Sequence, residues 1–117
     1  SDGVGFLPAA EVLSAEWPNE VVSCPEWGGD IRFRAMSAKD YVAFQDRYYG
    51  EDGKVKPEYD GKMIAAWVLA SAVDENGGKL FTEEQLDRLS EAYQPPLYRC
   101  FEASRRVNGE GEPKKPD

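Results

Sequence analysis

Apolar and charged residues alternate at Asp30-Ile31-Arg32-Phe33-Arg34, the period-two pattern of a strand with one buried face. Glu20-Val21-Val22-Ser23-Cys24 has similar β character, and Pro25-Glu26-Trp27-Gly28-Gly29 lies between the two runs. Paired glycines in a five-residue connector predict a β-hairpin over about 20–34. Trp27, at its tip, is expected to anchor in the core, because a large ring is costly to leave in water. Exposure for binding is the alternative.

Downstream the period lengthens. Tyr41, Phe44 and Tyr48 fall at i, i+3 and i+7, which predicts a helix over about 37–49 with one apolar face. Ser37 is placed to cap it, with Asp40 in the position of a capping-box acid. The polar stretch Gly50 to Pro57 reads as a loop. From Met63 to Val73 nearly every residue is apolar, so the helix predicted over 60–73 must be covered on most sides. Asp74-Glu75-Asn76-Gly77-Gly78-Lys79 reads as the turn that stops it. The spacing of oxygen ligands is wrong for a calcium loop.

Thr82-Glu83-Glu84-Gln85 forms a capping-box pattern and opens a helix predicted over 82–93, with Leu86, Leu89 and Tyr93 on one face. Pro95-Pro96 starts the next, predicted over 96–108, where proline costs no hydrogen bond. Asn108-Gly109 closes it. Before the hairpin, Phe6 to Leu13 reads as one or two helical turns broken at Trp17-Pro18-Asn19. Residues 110–117 carry no apolar side chain and are expected to be a disordered charged tail. The expected fold is therefore mainly α within an α+β class: a single domain over 1–109 with about four helices and an N-terminal β-hairpin.

Composition narrows the function. A chain of 117 residues with 41% hydrophobic content can bury a core without staples. Twenty-two acidic against 14 basic residues give a net charge of −8. That balance argues against binding nucleic acid or anionic membrane, both of which need neutralising cations. No apolar run approaches the roughly 18 residues of a membrane span, and no secretory signal is expected. The chain has no histidine and only two cysteines, Cys24 and Cys100, read as reduced thiols. Neither a metal site nor a cofactor site is indicated, and no catalytic constellation stands out. Glu83 and Glu84 more simply complement a helix dipole. The expectation is a binding protein and not an enzyme.

The ordered motifs add a resemblance. Pro25-Glu26-Trp27-Gly28-Gly29, the alternating strand through Arg34, Met36-Ser37, the apolar helix, Asp74-Glu75-Asn76-Gly77, Leu80-Phe81-Thr82, Leu86 and Leu89, then Leu97, Phe101, Ala103 and Asn108-Gly109 follow one another in this order. Taken together, and with Phe6-Leu7 and Glu11-Val12-Leu13 before them, they resemble the tail assembly chaperones of long-tailed, non-contractile bacteriophages and related prophages. The resemblance spans about residues 6–109.

It implies a protein that binds the tape measure protein, keeps it soluble and helps recruit tail tube subunits. It implies residence in the host bacterial cytoplasm and absence from the mature virion. A longer, frameshifted form would bind the tail tube protein, and Lys114-Lys115 is compatible with an A-rich slip site. Trp27, Ile31 and Phe33 of the hairpin region and Tyr98 and Phe101 of the last helix are the partner-binding candidates, although for each the simpler expectation is a place in the core. The apolar central helix leaves room for a homo-oligomer. The competing expectation is an acidic phage-encoded inhibitor, or nucleic-acid mimic, that blocks a basic host protein.

Overall fold

The structure is a computed structural model that describes residues 5–111. Among them, five α-helices accompany a three-stranded antiparallel sheet, so the fold is α+β and mainly helical. The elements are α1 (Ala9–Ser14), β1 (Asn19–Cys24), β2 (Gly29–Arg34), α2 (Ala38–Tyr48), α3 (Met63–Ser71), β3 (Ala72–Val73), α4 (Leu86–Ser90) and α5 (Gln94–Val107).

The hairpin forms where the alternation places it. Asn19 pairs with Arg34 and Cys24 with Gly29 across β1 and β2. A 3-10 turn, Pro25–Trp27, makes the reversal, and Gly28 follows at φ +83°, a backbone conformation that disfavours a Cβ. Cross-strand partners share a face, so Glu20, Val22, Cys24, Ile31 and Phe33 point inward. Val21, Asp30 and Arg32 point outward.

Two clusters make the core, and α3 lies between them. In one, Val68 of α3 meets Val22, Cys24 and Phe33 of the sheet and Leu97, Cys100, Ala103 and Val107 of α5. In the other, Ala65, Ala66, Trp67 and Leu69 meet Phe44 and Tyr48 of α2 and Leu86 of α4. A helix packed on two opposite sides has no polar face to offer, which explains its composition. The Phe44 ring lies 4.6 Å from Trp67 and 5.0 Å from Tyr48, within the range of favourable aromatic pairs.

Helix boundaries follow the caps. The Ser37 hydroxyl accepts a hydrogen bond from the Asp40 amide at 3.0 Å. The box at Thr82 forms, with the Gln85 side chain accepting from the Thr82 amide at 2.9 Å. It opens a 3-10 turn before α4, however, and α4 ends at Ser90. The expected helix over 82–93 is thus shorter, because the prolines at 95 and 96 begin α5 and cannot extend α4. Tyr93 falls outside α4 and is exposed.

The predicted 60–73 helix is also trimmed. Gly61 turns the chain at φ +79° before α3 starts at Met63. Ala72 and Val73 leave the helix to pair with Phe33 and Arg32 as a third strand. Asp74 then tightens the turn, its carboxylate accepting from the amides of Asn76 and Gly78 at 2.8 and 2.9 Å.

Asn108 and Gly109 end α5, with Gly109 at φ +80°. Glu110, expected in the tail, contacts the domain. The Glu110 amide donates to the Arg105 carbonyl at 2.8 Å and its carboxylate accepts from the Tyr41 hydroxyl. The rest of the predicted tail, residues 112–117, lies outside the described residues.

Candidate functional site

Helix α5 organises the surface. Its buried residues, Leu97, Cys100, Ala103, Ser104 and Val107, form one stripe. At roughly 100° per residue, Arg99 and Arg106 fall on one flank of that stripe and Tyr98, Phe101 and Arg105 on the other. The first flank grips the hairpin. Arg99 reaches the Glu26 carboxylate at 2.6 Å, and Arg106 pairs with both Glu20 oxygens at 3.1 and 2.5 Å. The hydrogen bond from Arg99 holds the Glu26 carboxyl below its ordinary range. These carboxylates fasten the hairpin to α5.

The candidate contact residues therefore separate. Trp27 lies at the hairpin tip and is 41% exposed, so the core anchor expected of it is absent. The ring is partly covered at the hairpin tip and does not enter either core cluster. Ile31 is half-buried against the first core cluster. Phe33 is fully buried, sealed between the sheet, α3 and α5, and cannot meet a partner without unfolding. Tyr98 is 40% exposed and packs in a tilted arrangement against half-buried Phe101, ring centroids 5.4 Å apart. The structure brings Tyr98 and Phe101 together and places Trp27 across α5 from them, with exposed Val21 on the hairpin's outer face.

Two features carry more apolar surface than the sequence indicated. Residues 5–18 form an N-terminal arm in which Phe6, Leu7, Val12 and Leu13 are all exposed and α1 buries nothing. The arm is tethered at its root, where Arg34 lies 4.6 Å over the Trp17 ring and the Ala35 amide donates to the Pro18 carbonyl. On the α2 side, a groove of about 1010 Å³ has Met36, Phe44, Tyr48, Leu69 and Phe81 along its floor. Its lining also carries Arg47, Lys56 and Lys79 with Asp40, Asp46 and Glu83, and Lys56 and Lys79 donate to the Asp46 and Ala70 carbonyls at 2.9 and 3.0 Å. Apolar side chains scattered along the arm and buried deep in the groove give no pattern that periodicity alone could mark as a surface.

The two thiols are interior. The Cys24 and Cys100 sulfurs are 3.7 Å apart, joining β1 to α5. Burial, with Cys24 alongside, pushes the Cys100 thiol up to about 12, so it is neutral and a poor nucleophile at physiological pH. Among the described residues, no group of three or more His, Cys, Asp or Glu could hold a metal ion, and no helix is long and apolar enough to cross a membrane.

No protein-family model matches the sequence, and no curated protein matches it. Among solved structures, the fold is similar to that of the bacteriophage HK97 tail assembly chaperone. The TM-score is 0.55 at 15% identity, covering 86% of this chain and 94% of that one. The chain has the fold of a phage tail assembly chaperone.

Proposed function

We propose that this chain is a tail assembly chaperone that binds the phage tape measure protein and keeps it soluble until tail tube subunits surround it. The observation that carries the reading is the fold correspondence with the HK97 chaperone, which runs nearly end to end on both chains. The order of sequence motifs supports it independently. The physics fits as well. A long helical partner with bare apolar faces aggregates, and a small domain of net charge −8 with apolar side chains at its surface can cover such faces and add solubility. Trp27 with Val21, and Tyr98 with Phe101, are the contact surfaces in this reading.

The chain acts by binding and not by catalysis, in the host cytoplasm, and leaves before the virion is mature. A longer frameshifted form recruits the tube protein. Co-expression with the tape measure protein of the same phage tests the reading. The expected result is a soluble complex that persists at moderate salt. A tape measure that stays insoluble, with no complex recovered, would overturn it. Binding to a basic host protein that collapses as salt rises would favour the acidic-inhibitor reading instead.

A further inference from the structure

We propose that Cys24 and Cys100 are a latent disulfide, a covalent modification site that a small-molecule disulfide of the glutathione class closes when the hairpin tip lifts from α5. The geometry is already close to the product. The two sulfurs lie 3.7 Å apart across an interval of 76 residues, and a disulfide bond is about 2.05 Å long. Each sulfur has to move by less than about 1 Å, within reach of modest side-chain rotation. Cys24 ends β1 on its inward face, and Cys100 lies in the buried stripe of α5. Both are 0% exposed and share one cluster with Val22, Phe33, Val68 and Leu97. Among the described residues no third His, Cys, Asp or Glu completes a metal-binding group with them.

Such thiols do not react where they stand. Burial pushes the Cys100 thiol up to about 12, and the thiolate is the nucleophile. Access comes with release of the hairpin tip. Arg99 holds that tip to α5 by donating to the Glu26 carboxylate at 2.6 Å and the Ser23 carbonyl at 3.3 Å. Arg99 precedes Cys100, and Ser23 and Glu26 stand on either side of Cys24 in the chain, so these contacts close directly over the pair. They are exposed to solvent, where ion pairs are weak, and local opening there is easier than global unfolding. In the opened state one cysteine thiolate attacks a sulfur of the oxidant R–S–S–R; its S–S bond breaks, RS⁻ leaves and a mixed disulfide forms. The second cysteine thiolate then attacks the cysteine sulfur of that mixed disulfide and expels the other RS⁻. Two cysteine thiols are thereby oxidised, one reagent disulfide is reduced to two thiols, and the two cysteine protons pass to the leaving thiolates. The second step is intramolecular between groups the fold holds together, which makes it fast, and the close-packed cluster has no room to keep the adduct.

The test treats the full reduced chain with oxidised glutathione, so its outcome is independent of any tail protein. Intact mass is expected to fall by two hydrogens with no glutathione retained, and a peptide map should join Cys24 to Cys100. A cross-link over so long an interval should raise Tm by about 10 °C or more and slow amide exchange in β1. Cys24→Ala and Cys100→Ala should each stop at a mixed disulfide with glutathione. Glu26→Gln loosens the tip and should speed oxidation by several-fold. The proposal is overturned if both thiols persist after exchange of the β1 amides has shown that the hairpin opens. A lasting glutathione adduct on the wild-type chain, a disulfide between two chains, a lowered Tm or an unchanged rate in Glu26→Gln overturns it equally.

Discussion

Truncating Asn108 to alanine tests the way the end of α5 is secured. The Asn108 side chain accepts from the Met36 amide at 2.7 Å and donates to the Ser71 hydroxyl at 2.9 Å and the Ser104 carbonyl at 2.7 Å. It therefore ties the entry to α2, the last residue of α3 and the last turn of α5 to one another. Ser71 and Ser104 are 1% and 0% exposed, and Ser104 is itself bonded to the Trp67 carbonyl at 2.7 Å. Asn108→Ala leaves the Met36 amide without its acceptor and the Ser71 hydroxyl without its donor. Stranding a buried polar group costs about 1–3 kcal/mol; Ser71 is buried and Met36 only partly so, so the expected loss is about 2–4 kcal/mol. That is a large share of the roughly 5–15 kcal/mol available to a domain, and it corresponds to a fall in Tm of about 8–16 °C. Urea unfolding followed by tryptophan fluorescence should show a lower midpoint with an unchanged slope. A cycle with Ser71→Ala should show coupling of at least ~0.5 kcal/mol. A loss below ~0.5 kcal/mol, or strict additivity, would refute the reasoning.

The same unfolding assay separates two aromatic residues of the hairpin region: Phe33→Ala should cost about 3–5 kcal/mol as a core truncation, and Trp27→Ala within about 1 kcal/mol. Equal losses would contradict their placement. Alkaline pH gives a further expectation. The Cys100 thiol is held up to about 12 from an ordinary value of 9.0, so the neutral form is favoured in the folded state. Its contribution is complete below pH 9 and declines as pH rises towards 12. Wild-type stability should fall more steeply over that window than Cys100→Ala stability, and parallel profiles would remove the claim.

Much of the fold was legible where local signals act alone. The alternation at Ile31 and Phe33 fixed the hairpin and its inward face, and Ser37 fixed the start of α2. The composition of α3 predicted burial on most sides. What failed depended on distant partners. Ala72 and Val73 continue an apolar run and look helical, and only the presence of β2 alongside converts them to a strand. The capping box at Thr82 was correct as a cap, but a cap does not set helix length; Pro95 and Pro96 do. Trp27 was expected inside because its ring favours burial, yet at the hairpin tip it stays outside both core clusters and 41% exposed. Among the contact candidates, Phe33 takes the place in the core that was the simpler expectation for it. The polar web of Ser71, Ser104 and Asn108 links residues up to 72 positions apart, and no spacing rule reaches that far. The arm was legible as helical turns, but its isolation from the domain was not.

The paired sulfurs have a practical consequence. Cys24 and Cys100 are the chain's only cysteines, and both have 0% exposure. A maleimide dye added to the folded protein thus meets no reactive native site. One cysteine introduced on the arm, at Ser14 for example, becomes a unique handle, and the wild-type background needs no prior mutation. The fluorescence anisotropy of that dye would then follow the arm's mobility directly.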